Sequence, residues 1–229
     1  MMHYYSFGVF VKYLSLLFVS QLTVFAFSLV PSAEITSNYV HRGISWSNNA
    51  PALQGGVLAK IGNFYTVLRK SDVAFDANNT LFMNDKRLGS SDELSLLVGY
   101  SLPMSGARAN VGVIDYRYNQ NGSYESNISQ EYFASIALTT LLTPKIRFTY
   151  DAIAQSDPMV AELILKSAGN FPTYTYFGWY PQSGDFFSAV QFTFPLEYLG
   201  LRGMFAVEFA SFQKDNGMSQ NNTSFSYRF

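Results

Sequence analysis

The chain has 229 residues, no cysteine, a formal net charge of −1, 17% aromatic residues and 14% charged residues. Soluble domains usually carry about 25% charged residues, so a lipid-facing exterior suits this composition better than a water-facing one. The near-zero charge offers no basic surface for nucleic acid, and the missing cysteines exclude a disulfide scaffold and thiolate metal sites.

The N-terminal segment is typical of an export signal. Tyr13 to Val30 is an uncharged, mostly apolar run that follows Lys12, and Ala26 and Ser28 supply the small residues of a cleavage site. We therefore predict a signal peptide over 1–28 and a single mature domain over 29–229. The alternative is an uncleaved anchor, because an apolar run of about 18 residues is just long enough to span a bilayer.

Beyond this segment the dominant pattern is alternation with a period of two. No later apolar run is long enough for a transmembrane helix. Glu131 to Leu138 and Ile146 to Ala152 alternate apolar with polar or small side chains, as half-buried strands do. The same criterion predicts about twelve strands, at 34–43, 51–60, 64–73, 92–102, 108–118, 128–142, 146–154, 159–167, 173–180, 186–196, 202–213 and 223–229.

The predicted connections alternate in length. Long polar connections such as 74–91, 119–127 and 214–222 alternate with short ones such as 61–63 and 143–145. Up-and-down outer-membrane barrels have this arrangement, with long extracellular loops and short periplasmic turns. The sequence therefore predicts an all-β fold, namely a transmembrane up-and-down antiparallel β-barrel of about 12 strands that faces the lipid bilayer.

The final residues form an alternating aromatic strand. Phe225, Tyr227 and Phe229 alternate with small or polar residues up to the last position. A barrel pairs its last strand with its first, because an unpaired strand edge in lipid is costly. A terminal Phe on such a strand also resembles the signal by which bacterial barrels are recognised for assembly, so the outer-membrane barrel assembly machinery is an expected partner. The alternative is an ordinary edge strand.

Three segments resemble a known family. Thr36 to Gly56, TSNYVHRGISWSNNAPALQGG, resembles the opening of the TorF-type porin family, and Glu93 to Leu102 and Ala109 to Tyr118 resemble two of its later strands. The resemblance implies an outer-membrane barrel of porin-like function.

Asp115 departs from the pattern of that family, which usually has an aromatic residue there. The predicted register places Asp115 and Arg117 on the outward face with Val111 and Val113. Charges facing lipid are costly away from the headgroups. Either the two side chains pair at the membrane interface or the register shifts near them.

Charged residues that share a strand face with small or polar residues are candidates for the barrel interior, because lipid excludes them. Arg42, near the end of the first predicted strand, is either a lumen-lining residue at the mouth or a structural Arg paired with a wall carboxylate. The candidate lumen-lining residues are Arg42, Arg108, Glu131, Arg147, Asp151, Glu162, Lys166, Glu208 and Arg228.

Catalysis and cofactor binding have little support. His41 is the only histidine of the mature chain, and no acid can be assigned to it together with Ser37 or Ser45, so we expect no enzyme activity. The polar loops have no calcium-loop spacing, and no metal or other cofactor is expected. The expected function is passive diffusion of small hydrophilic solutes through the outer membrane, and the alternative is a non-conducting structural or adhesive barrel.

Overall fold

The chain folds into a closed barrel of antiparallel strands. A computed structural model describes residues 27–75, 87–154, 157–167, 171–199 and 202–229. The strands are β1 (Phe27–Thr36), β2 (Val40–His41), β3 (Ile44–Ser45), β4 (Ala52–Ile61), β5 (Phe64–Asp72), β6 (Asp92–Met104), β7 (Ala107–Gln120), β8 (Ser123–Leu138), β9 (Pro144–Asp151), β10 (Met159–Lys166), β11 (Thr173–Trp179), β12 (Phe186–Pro195), β13 (Met204–Gln213) and β14 (Ser219–Arg228). β2 and β3 pair only with each other, and the other twelve strands form the wall, which confirms the predicted fold.

The first and last strands close the wall. β1 pairs with β4 along its whole length but with β14 only over Glu34–Thr36. Hydrogen bonds extend this seam at both ends. The N–H of Ala33 donates to the Phe229 carbonyl (3.2 Å) and the N–H of Phe229 to the Ala33 carbonyl (3.1 Å), and the N–H of Ser37 donates to the Phe225 carbonyl (2.8 Å). The predicted pairing of the C-terminal strand with the first strand is therefore confirmed.

The strands are strongly staggered around the wall. A line that starts at Phe27 and passes from each residue to its paired residue on the next strand returns to the first strand after one circuit. It returns about 16 residues further along the chain than it started. For twelve strands this stagger corresponds to a tilt of about 40° from the barrel axis, which is within the usual range. A row of side chains on neighbouring strands therefore climbs the inner wall as a spiral.

Side chains alternate between the two faces of the wall. On β8 the outward Tyr132 and Ile136 are 50% and 44% exposed, whereas the inward Glu131 and Ser135 are 5% and 8% exposed. The other wall strands alternate in the same way, so the outside is largely apolar and the inside carries many of the polar groups. This distribution is the one expected of a barrel surrounded by lipid.

The two ends of the barrel differ. The short-turn end carries the connections 62–63, 105–106, 139–143, 167–172 and 196–203, of which the last includes a 3₁₀ helix (Leu196–Leu199). The long-loop end carries the connections 37–51, 73–91, 121–122, 152–158, 180–185 and 214–218. Among the described residues, no helix is long and apolar enough to cross a membrane.

One predicted loop is wrong. Residues 119–127 were expected to form a long connection, but β7 continues to Gln120 and β8 begins at Ser123. The turn between them consists of Asn121 (φ 54°) and Gly122 (φ 84°), the Asn-Gly pair that favours a two-residue hairpin with positive φ at both positions. The polar composition of this stretch hides a strand pair that projects from the long-loop end.

The predicted first strand is displaced. It was expected over 34–43, but β1 spans Phe27–Thr36, and the chain leaves the wall after Thr36. The Thr36 hydroxyl donates to the Asn38 carbonyl (2.8 Å) and accepts the Asn38 N–H (3.3 Å), which turns the chain at this point. The predicted signal peptide lies outside the described residues except for Phe27 and Ser28, and it stays a prediction.

Asp115 and Arg117 face outward, they pair with each other, and a register shift lies beside them. The Arg117 Nε donates to Asp115 Oδ2 at 2.9 Å, so the two charges pair on the outer surface. The pairing of β7 with β8 also shifts register between Tyr116 and Tyr118. The two charges meet because alternate residues of a strand share a face, and the register shift lies beside them on the partner strand β8.

Candidate functional site

Residues 37–51, the inner segment, connect β1 to β4 by folding into the barrel. At the tip of this segment His41 pairs with Ile44 around a two-residue turn. Arg42 and Gly43 form the turn with φ angles of 49° and 79°. Positive φ at both central residues defines the tight hairpin turn that matches strand twist, and glycine adopts it at little cost.

One side of the tip is held by strands β12 to β14. Asn222 Nδ2 donates to the Gly43 carbonyl at 2.6 Å. A Cβ atom at Gly43 would lie 2.5 Å from the Ser211 carbonyl oxygen, so only glycine allows this close approach to the wall. Ile44 packs against a buried cluster formed by Val160, Phe187 and Phe212.

The other side of the tip carries Arg42 to strands β8 to β10. Arg42 Nη1 donates to Glu131 Oε1 at 2.6 Å, and Arg42 Nε lies 3.7 Å from Glu162 Oε1. Arg147 completes an alternating ring of charges, because its guanidinium lies 3.9 Å from Glu131 and 3.6 Å from Glu162. The tip is therefore fixed to two separate parts of the wall, and the inner segment crosses the lumen.

This charge ring is neutral and shielded from water. The Arg42, Glu131 and Glu162 side chains are 11%, 6% and 11% exposed. Two Arg and two Glu side chains cancel each other, and removing any one of them would leave an uncompensated buried charge. The ring therefore holds the inner segment in place across the lumen.

The base of the inner segment is held by an aromatic cluster and by hydrogen bonds. Trp46 lies with Tyr39, Phe75 and Tyr118 in the largest buried cluster of the described residues. Ser45, which is fully buried, donates to Asn38 Oδ1 at 2.7 Å. These contacts make the inner segment a packed part of the fold.

His41 lies within the inner segment, outside the wall strands. Its ring centroid is 4.2 Å from that of Trp46. Burial lowers the pKa of the His41 imidazole well below its ordinary value of 6.5, and the nearby charge of Arg42 lowers this pKa further. His41 is therefore neutral when the inner segment is docked.

The remaining predicted lumen residues form none of the ion pairs of the ring, although Asp151 is paired with Glu131 across β8 and β9. Asp151 is at the long-loop end, where its Oδ1 accepts the N–H groups of Ile153 (2.9 Å) and Ala154 (3.1 Å). Asp151 therefore caps a turn. Arg108 shares the inward face of β7 but is exposed at the short-turn end, far along the strand from the ring.

The other three predicted lumen charges also face inward, between the ring and the short-turn end. Arg228 pairs with Glu34 at 2.6 Å. Lys166 Nζ lies over the Tyr174 ring, 5.3 Å from its centroid. Glu208 accepts a hydrogen bond from Gln191 Nε2 at 3.4 Å. These residues lie on the wall nearer the short-turn end than the ring.

The predicted assembly residues lie on the outer face of β14. Phe225 and Phe229 are 50% and 58% exposed, and the Tyr227 hydroxyl donates to the Arg202 carbonyl at 2.7 Å. Sequence reasoning missed the inner segment as a unit, including Trp46 and Asn38. The Arg42-Gly43 pair could have indicated the inner segment, because it fits a two-residue hairpin turn. It lies at the end of the segment that was predicted to be a wall strand.

Comparison with known proteins gives one family. Residues 25–159 match the model of a family described as "Bacterial protein of unknown function (Gcw_chp)". This match covers more than half of the chain. No curated protein matches the sequence.

Proposed function

We propose a porin function for this chain, which belongs to the Gcw_chp family of bacterial proteins. The barrel spans the cell outer membrane, where small hydrophilic solutes diffuse through its lumen. A closed wall with a largely apolar exterior is consistent with an outer-membrane protein. The resemblance of Thr36 to Gly56 to the TorF-type porins supports the same function.

The inner wall between the charge ring and the short-turn end supports a solute path. Arg108 and Lys166 are exposed on the inward face, and Gln191 and Glu208 are partly exposed there. Small barrels that do not conduct fill their interior with side chains. A polar inner wall reached by water favours a chamber that solutes can enter from the short-turn end.

In this proposal the inner segment sets the narrowest point of the path. Its tip contacts β8 and β10 through Arg42, and β12 to β14 through Gly43. A solute can pass the charge ring in two ways. It either moves through the space beside the docked tip or waits until the tip has left the wall. The conductance of the barrel therefore depends on how firmly Arg42 is held.

The second candidate is a barrel that does not conduct and has a structural or adhesive role. The burial of the inner segment favours this candidate, because Ser45 is 0% and Glu131 5% exposed. A tip that never leaves the wall would close the lumen. The strand pair that projects beyond the rim around Asn121 and Gly122 would then be the part available to partners outside the cell.

We also propose that the chain is not an enzyme, and that its partners are the lipid bilayer, the barrel assembly machinery and small solutes rather than nucleic acid. The Ser45 hydroxyl donates to Asn38 and accepts the Asn49 N–H (2.8 Å), and the Ser37 hydroxyl accepts the Phe225 N–H (3.0 Å). The His41 ring packs against the Trp46 ring at an interplanar angle of 38°. These contacts give the serines and the histidine structural roles.

Current through a planar bilayer tests the proposal. The refolded wild type is compared with a variant whose residues 39–49 are replaced by a short Gly-Ser linker, after heat-modifiable migration has shown that each protein forms a closed barrel. We expect a small conductance for the wild type and a several-fold larger one for the variant. If the wild type carries no current and the variant does, the second candidate is favoured. If neither protein carries current, the porin function is contradicted.

A further inference from the structure

One inward-facing row crosses four strands between the charge ring and the short-turn end. Lys166 on β10 is paired with Tyr174 on β11, Tyr174 with Gln191 on β12, and Gln191 with Glu208 on β13. The outward neighbours along these strands, such as Phe177, are exposed apolar residues. These four residues, the lumen row, present a cation, an aromatic face, an amide and a carboxylate in that order.

Because the strands are tilted, the lumen row climbs the inner wall. Lys166 lies at the end of β10 beside the short-turn end, and Glu208 lies in the middle of β13. A solute that enters from the short-turn end therefore meets Lys166 first and Glu208 later. Lys145, which also faces inward near the short-turn end, adds a second cation beside Lys166.

The two charged ends of the lumen row point toward its centre. Lys166 Nζ lies over the ring of Tyr174, and Glu208 is bonded to the amide of Gln191. Neighbouring strands are about 4.8 Å apart, so the Cα atoms of Lys166 and Glu208 are separated by about 14 Å. Since each charged group contacts its neighbour in the lumen row, the separation of the two charges is on the order of 10 Å.

Glu208 has capacity for a further partner. Among the described residues it forms no ion pair, whereas Glu131, Glu162 and Glu34 all pair with arginine. Its single hydrogen bond, at 3.4 Å from Gln191, is long. A partly buried carboxylate without a cation attracts a positively charged group that enters the lumen.

We propose that the lumen row binds a short zwitterionic solute of the peptide class, with its ammonium group at Glu208 and its carboxylate at Lys166. An extended tripeptide is about 10 Å long, which matches the distance between the two charges. Gln191 offers both a donor and an acceptor to the peptide groups between the ends.

The inference rests on the proposed function, because it assigns a solute class to the same lumen. Binding is nevertheless measured without current, by isothermal titration calorimetry on the refolded barrel in detergent micelles. The probes are triglycine, N-acetyl-triglycine and triglycine amide, which remove one terminal charge at a time. The variants are Glu208→Gln and Lys166→Met, with Glu197→Gln as the control.

Glu197 suits the control because it lies exposed in the 196–203 connection, outside the lumen row, and its substitution removes the same charge. For the wild type and the control we expect triglycine to bind about tenfold more tightly than either capped peptide. Each cap removes one charge-assisted hydrogen bond, whose free energy corresponds to about this ratio of dissociation constants. Glu208→Gln should abolish the discrimination against the acetylated peptide only. Lys166→Met should abolish the discrimination against the amide only.

Two results would overturn the proposal. The first is a wild type that binds none of the three peptides at millimolar concentration. The second is an acetylation penalty that remains the same in Glu208→Gln as in the wild type. A barrel that binds triglycine as expected but carries no current would contradict the porin function while leaving the binding site intact, so the two failures are distinguishable.

Discussion

Arg42 and Glu131 are 89 residues apart in the chain, yet Arg42 Nη1 lies 2.6 Å from Glu131 Oε1 inside the barrel. Arg42 is at the tip of a segment that has left the wall, and Glu131 is on the inward face of β8. Their contact, with Glu162 and Arg147 beside it, fixes the tip across the lumen. Of the two roles expected for Arg42, the contact is the pairing with a wall carboxylate, and the lining of a solute path stays a prediction.

Arg42→Gln should increase the conductance of the barrel and shift its preference toward cations. Loss of one partner from a buried ion pair costs about 3–5 kcal/mol, so the tip should undock in a much larger fraction of molecules. Glu131 and Glu162 would then face only Arg147, which leaves one excess negative charge. Single-channel conductance and the reversal potential under a salt gradient measure both effects.

Arg202→Gln is the matched control for Arg42→Gln. It removes an arginine charge from the exposed 196–203 connection at the opposite end of the barrel. We expect its conductance and reversal potential to equal those of the wild type. If Arg42→Gln folds and behaves like this control, the charge ring does not hold the tip.

His41 should make docking of the inner segment sensitive to acid. The pKa of His41 is lowered in the docked state, so docking is at full strength above about pH 6.5, where the imidazole is neutral in both states. As the pH falls below this value, only the undocked state takes up a proton, and docking weakens. Channel openings should therefore become more frequent between about pH 7 and pH 5.

The variant His41→Phe tests this assignment because it keeps a ring beside Trp46 and removes the titrating group. The charges that face His41 are those of Arg42, Arg87, Arg147 and Arg69, which stay protonated throughout this range. A flat pH response is expected from the variant. An unchanged response would show that His41 is not the source of the effect.

We expect assembly of the barrel to require that the outward charges of Asp115 and Arg117 neutralise each other. Arg117→Leu leaves Asp115 unpaired on the outer surface, and we expect the heat-modifiable fraction to fall several-fold. The double variant Asp115→Tyr/Arg117→Leu removes both charges and should recover the wild-type fraction. Single charges on the lipid face cost up to about 2–4 kcal/mol at the midplane and less near the headgroups. Equal assembly of the single and double variants would show that the pair has no such role.

The wall strands were predictable because a largely apolar outer face and a more polar inner face give each of them a period of two. β8 and β9 show the pattern most clearly, and their inward residues Glu131 and Arg147 were identified from it. The hairpin turn at Asn121 and Gly122 was missed because polar residues flank it on both strands, so the period of two is weak there.

The inner segment could not be predicted because its local pattern resembles a wall strand. Val40 and Ile44 are apolar residues in the continuation of β1. No local sequence pattern indicates that the chain turns inward at Asn38. The turn depends on distant partners, such as Asn222 for the Gly43 carbonyl and Glu131 for Arg42. Such contacts exist only once the barrel has closed.

Cleavage after Ser28 remains a prediction. If it occurs, it shortens β1. The mature chain would begin at Leu29, within β1, and would lose the two residue pairs with Lys60 and Ile61 at the short-turn end. N-terminal sequencing of the protein extracted from membranes should therefore begin at Leu29. Ser28→Leu places a bulky residue at the cleavage site and should leave the precursor uncut. A wild-type protein that retains Met1 would favour the uncleaved anchor.

Phe229 should be required for assembly through both its backbone and its ring. Deletion removes the two hydrogen bonds with Ala33 that extend the short seam between β1 and β14, and it removes the outward ring. Phe229→Ala keeps the hydrogen bonds and removes only the ring. We expect deletion to abolish the heat-modifiable form while export continues, and Phe229→Ala to reduce this form several-fold.

Phe194→Ala is the matched control for Phe229→Ala, because Phe194 is also an outward aromatic residue on the half of the barrel near the short-turn end and is 40% exposed. Loss of a lipid-facing ring alone should affect both alanine variants equally, whereas a terminal recognition signal should make only Phe229→Ala defective. The measurement is the heat-modifiable fraction of each protein in isolated outer membranes. Full modifiability of the deletion variant would show that neither the seam hydrogen bonds of Phe229 nor its ring is needed to close the barrel.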